Sequence, residues 1–79
     1  MIGDTHTLTW GVLVDEPAPN EWQRWPRRAR RACATAFDRS RALVESKHGA
    51  AVTISDESCC RPHASGRMHL YRMMVVRVR

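Results

Sequence analysis

Between Arg27 and Lys47, Ala29, Ala32, Cys33, Ala36, Phe37, Ser40, Leu43 and Val44 recur at spacings of three and four. That is one apolar stripe on a helix. Continued backwards it passes through Trp22 and Trp25, and its small Ala and Cys residues imply close approach to whatever the helix covers. The segments on either side have a different period. Residues Thr5 to Asp15 read THTLTWGVLVD, with Leu8, Trp10, Val12 and Val14 on one face of a strand. Ala51 to Ser55 is a short strand, Asp56 to Gly66 reads as a loop, and Arg67 to Arg79 is a long strand interrupted by Arg72. Such an interruption predicts a bulge, or a face not buried along its whole length.

The helix has two candidate starts. Either Asn20, with capping-box spacing to Gln23, starts a short first turn that kinks at Pro26, or the main helix opens at Pro26 itself, which lacks an N–H and fits only a first turn. Both readings end at His48-Gly49, where a glycine can take the cap.

A strand, a crossover helix and a second strand connect right-handed and leave the two strands parallel. The third strand, longest and most apolar, is expected to return between them. The expected fold is therefore α+β, βαββ, with sheet order 1-3-2 and the helix on one face. This topology resembles half of a ferredoxin-like fold. The other sheet face, with Thr7, Thr9, Leu13, His69, Tyr71, Met73 and Val75, is left uncovered, which makes it a surface for a homodimer or another partner.

At 79 residues the chain is read as one domain, residues 1–79, with a thin core. Thirteen Lys and Arg against eight Asp and Glu give a net charge of +5, and Lys47 is the one lysine. Arginine favours planar contacts to phosphate or carboxylate, although a GC-rich genome would enrich it equally. The odd cysteine count (Cys33, Cys59, Cys60) and a start lacking a signal-peptide pattern place the expected location in the cytoplasm. No run approaches the roughly 18 apolar residues of a membrane span.

Four constellations carry the functional reading. Arg24, Arg27, Arg28, Arg30, Arg31, Arg39 and Arg41 spread over the polar side of the helix, as a phosphate- or partner-binding band or as a solvated face ion-paired to Glu21, Asp38 and Glu45. Trp22 and Trp25 beside them either stack on a partner or close the end of the core. Cys59, Cys60 and His63, with Cys33, His48 and His69 elsewhere, supply at most one of the two ligand clusters that zinc requires. A cysteine nucleophile with His63 and Asp56 or Glu57 would have to be held by a single loop. No metal, cofactor or catalytic residue is therefore assigned. Fourth, parallel first and second strands would gather Asp15, Glu16, Asp56 and Glu57 near Glu21 as an acidic pole, opposite Arg77 and Arg79.

The expectation is a non-enzymatic module that occludes a surface on a larger nucleic-acid-handling protein or ribonucleoprotein, as small phage-encoded inhibitors such as anti-CRISPR proteins do. The alternative is direct, largely sequence-nonspecific binding of DNA or RNA through the arginine helix. A membrane partner is not expected.

Overall fold

In the computed structural model, which describes residues 4–79, the order is β1 (Asp4–Val14), α1 (Arg27–His48), β2 (Val52–Pro62) and β3 (Met68–Val78), with short 3-10 turns at Trp22–Arg24 and Gly49–Ala51. The fold is α+β, βαββ. The sheet order is β1-β3-β2 and both outer strands run antiparallel to the central β3.

The helix opens at Pro26, not at Asn20. Pro26 is the N-cap residue, and its carbonyl accepts from Arg30 N at 3.0 Å. Asn20 is used elsewhere: its Oδ1 accepts from Cys60 N at 3.0 Å, and its carbonyl accepts from Ser58 Oγ at 2.7 Å. Trp22 N donates to the same Ser58 Oγ at 3.0 Å. The polar atoms that sequence spacing assigned to a helix cap therefore fasten the loop to β2. Gly49 closes the helix at φ 58°, where its N–H donates to Glu45 O.

The segment read as a loop from Asp56 to Gly66 is mostly strand. β2 continues to Pro62, and only His63–Arg67 turns, with Gly66 at φ 87°. The absence of periodicity there has a physical cause, since β2 is an edge strand whose two faces are both partly wet. Lengthening β2 also disperses the expected acidic pole. Asp56 and Glu57 lie opposite Met74 and Met73 in the middle of the sheet, while Asp15 pairs at the surface with Arg67 at 2.8 Å.

Even-numbered residues of β1 and β3 face the helix. Trp25, Ala29, Cys33 and Leu70 form one buried cluster, with Val12, Val14, Trp22, Cys60 and Met68 against it. Phe37, Met74 and Val76 form the second, with Val44, Val52, Ile54 and Val78. Trp10 touches both and meets Phe37 edge-on at 5.9 Å.

Between the clusters sits Arg72, 5% exposed. No bulge turns it outward, because the β1–β3 and β2–β3 registers run unbroken through Trp10, Arg72 and Ser58. Its guanidinium lies 3.9 Å from the Trp22 ring centroid and 4.1 Å from that of Phe37. Its Nε and Nη2 donate to the two carboxylate oxygens of Asp56 at 3.1 and 2.9 Å. Two aromatic faces and a bidentate carboxylate thus accommodate a charge that would otherwise be prohibitive in a core. Nη1 is left without a partner.

Candidate polyanion-binding face of the helix

The arginine band begins at the wrong end of α1 for helix stability. The positive end of a helix dipole favours acidic residues, yet the first turn of α1 contains none and opens with Arg27 and Arg28, followed by Arg30 and Arg31. Nor are these cations neutralised locally. Among the described residues the ion pairs are Arg67–Asp15 and Arg72–Asp56, so the expected pairs to Glu21, Asp38 and Glu45 do not form. Seven guanidiniums, from Arg24 to Arg41, carry no acidic partner.

They divide by position. Arg27, Arg30 and Arg31 line a shallow groove of about 340 Å³ with Trp22 and Ala34. Arg30 is half-buried there, and its Nε is enclosed with no hydrogen-bond acceptor. Arg28 flanks the β1 side, beside Val12, Val14 and Pro26. Arg24 and Arg39 are exposed. Arg41 is engaged differently, half-buried with its guanidinium 5.0 Å from the Phe37 centroid.

The two tryptophans of the sequence pattern separate. Trp25 is 3% exposed and its Nε1 donates to Pro19 O at 2.9 Å, so it closes the core and presents no surface to a partner. Trp22 is half-buried and fixed from three directions: its backbone by Ser58, one ring face by Arg72, and an edge of the arginine groove. A rigid indole beside three guanidiniums can stack a planar group while the cations meet the negative charge attached to it.

No family model, curated protein or solved structure matches this chain. The chemistry must be read from its own residues.

The cysteine-histidine constellation is taken apart by the lengthening of β2. Consecutive strand residues point to opposite faces, so Cys60 packs toward Trp25 and Leu70 while Cys59, opposite Tyr71, lies on the open face. Among the described residues no three His, Cys, Asp or Glu side chains gather around a common point. No described helix is long and apolar enough to cross a membrane. Cys33 is buried in the core, and burial pushes its thiol up despite the opposing pull of the Arg72 guanidinium. Thiolate is the reactive form. Titration of the native protein with a thiol-reactive chromophore is therefore expected to modify Cys59 and Cys60 and to spare Cys33 until denaturant is added. Rapid modification of all three would show that the helix does not seal this part of the sheet.

The open sheet face carries a ladder of side chains contributed by β3 and the turn before it. Tyr71 Oη and His69 Nδ1 share a hydrogen bond of 2.7 Å, and the His63 and His69 rings meet edge-on at 5.6 Å. The His69 ring lies across Gly11, where an added Cβ would come within 2.6 Å of Nε2. A glycine facing an aromatic residue on the next strand was the available sequence signal. Leu13, Met73 and Val75 are half-buried on this face, and Thr5, Thr7 and Thr9 are exposed along its border.

Proposed function

We propose that this chain is a non-enzymatic binding module that docks its arginine face on a polyanionic surface of a larger nucleic-acid-handling or ribonucleoprotein assembly and acts by occluding it. The observation that carries this reading is the set of unpaired guanidiniums at the positive end of α1. Selection for stability alone would replace them with acids, so they are better explained by an anionic partner. Small phage-encoded inhibitors, anti-CRISPR proteins among them, work by contact in this manner, and the likeness to them is one of kind. Dispersal of the acidic pole argues against the converse arrangement, in which an acidic end of the molecule would occupy a basic nucleic-acid groove.

The Trp22 groove favours a second reading, direct binding of single-stranded DNA or RNA, with a base stacked on the indole and phosphates on Arg27, Arg30 and Arg31. A salt titration with generic single-stranded and duplex nucleic acid separates the two. Direct binding through three phosphates predicts submicromolar affinity at low salt and a log–log slope of about −2 for single strands. Absence of affinity at low salt would exclude direct binding and leave an acidic protein surface as the target.

A further inference from the structure

The two edges of the sheet are treated differently by the chain. The outer edge of β2 is protected three times over. Asn20 Oδ1 caps the Cys60 amide, the Asn20–Trp22 loop is tied to Ser58, and the strand itself carries Asp56, Glu57, Arg61 and Pro62. The outer edge of β1 has none of these devices. Over Asp4–Val14 there is one charged residue, Asp4, with no proline and a register to β3 unbroken from Asp4–Val78 to Val14–Met68. Among the described residues no loop or side chain hydrogen-bonds to that edge. A long, regular, nearly uncharged edge strand is a template for another strand.

A second observation points to the same side of the molecule. Among the described residues, the two large apolar side chains left exposed, Leu8 at 39% and Leu43 at 69%, come from different elements and line one groove of about 500 Å³ between β1 and the C-terminal half of α1. At 100° per residue, Leu43 shares the β1-facing flank of the helix with the exposed Ala32 and the half-buried Ala36. The flank beside the bare edge is therefore low at Ala32 and Ala36, and it carries Leu43 between the charged Arg28, Arg39 and Lys47.

We propose that a second copy of this chain occupies it, the two β1 strands pairing antiparallel about a two-fold axis to give one six-stranded sheet with both helices on the same face. Self-pairing fits the edge. A two-fold interface must be complementary to itself, and β1 meets that condition because its one charge, Asp4, falls opposite an uncharged residue in any register centred on the middle of the strand. Antiparallel pairing with even residues opposite even ones keeps both helices on one side, and with the axis at mid-strand each Leu8–Leu43 groove lies against the Val12–Val14 end of the other copy's β1 and the N-terminal half of its helix. In size the contact is sufficient. Eleven residues extend about 36 Å, and an edge and helix flank about 15 Å high gives roughly 1,000 Å² in total, the lower bound for a specific interface. The open sheet face competes less well, since its apolar residues Leu13, Cys59, Met73 and Val75 are already half-buried and are interspersed with exposed Thr5, Thr7 and Thr9 on one side and Thr53, Ser55, Glu57 and Arg61 on the other.

Sedimentation equilibrium of the full chain tests this directly. The wild-type protein is expected to be dimeric at tens of micromolar, with alternate β1 amides slowed in hydrogen exchange as concentration rises. Leu43→Arg, at an exposed helix position that leaves the fold intact, weakens dimerisation on the order of tenfold or more, while Thr53→Arg on β2 leaves it unchanged. Raising salt strengthens the dimer, since two copies of charge +5 are brought together; this is opposite in sign to polyanion binding. A protein monomeric throughout that range overturns the proposal. So does a dimer that Leu43→Arg leaves intact with β1 amides unprotected, which would move the contact to another surface.

Discussion

Asp56→Ala is expected to unfold or nearly unfold the protein at room temperature. The substitution leaves the Arg72 guanidinium in the core with no counter-charge and three unsatisfied nitrogens where there was one. Removing one member of a buried pair costs about 3–5 kcal/mol. Asp56 retains 26% of its side-chain exposure, so water can reach part of the vacated space and the lower end applies, about 3 kcal/mol. A domain this small has roughly 3–5 kcal/mol in total, and a loss of that size lowers the melting temperature by about 12–24 °C. Arg72→Met with Asp56→Leu should behave differently, because replacing both charges with apolar side chains of similar volume is often neutral or stabilising. Thermal denaturation of the single and double variants decides it. If Asp56→Ala melts within a few degrees of wild type, the guanidinium is held by Trp22 and Phe37 alone and the carboxylate is incidental.

Paired reversal at Arg27 and Arg31 is expected to separate function from stability. Both side chains are exposed and neither is paired with an acid, so Arg27→Glu with Arg31→Glu removes no packing and no ion pair. Placing acids near the helix N-terminus complements the dipole, so the melting temperature should be unchanged or higher. Affinity for a polyanion should fall on the order of a hundredfold at physiological salt, since two attractions become two repulsions. Isothermal binding measurements alongside thermal melts read both quantities. A variant that loses stability while keeping its affinity would assign these arginines to the fold and withdraw the proposed function.

The architecture was legible because each element has a period the sequence displays. The helical stripe and the alternation in β1 and β3 identify the layers, and the right-handed crossover rule with the apolar length of β3 then places that strand at the centre. What escaped were contacts between elements. Arg72 looked like a break in a pattern, although it obeys the pattern's parity and differs only in chemistry. Recognising it as a core residue required knowing that β2 extends to Pro62, which places Asp56 diagonally across from Arg72 on the same face. Edge strand β2 hid that extension because the residues that continue its core-facing side after Ile54 are the polar Asp56 and Ser58. Asn20 had the spacing of a cap, and no local rule predicts that it reaches β2 some 40 residues away. For the candidate site, the arginine positions were visible at once, whereas the division between Trp25 and Trp22 depends on which face of the helix start meets the sheet.

The central position of β3 also bears on how the chain acquires its structure. Of the three strands β3 is the last to be synthesised, and β1 has no pairing partner until it emerges, since its register joins Asp4 to Val78. The β2–β3 hairpin closes over a short turn and can form quickly, but β1 must wait across nearly the whole sequence, and pairing over such separations is slow. During translation the nascent chain therefore holds a strand with both edges open, one for β3 and one that no other strand of the same chain covers. Crowded polysomes would let two such strands meet before either finds its own β3, so the rate at which the C-terminal hairpin forms governs how much of the protein reaches its native sheet rather than an aggregate.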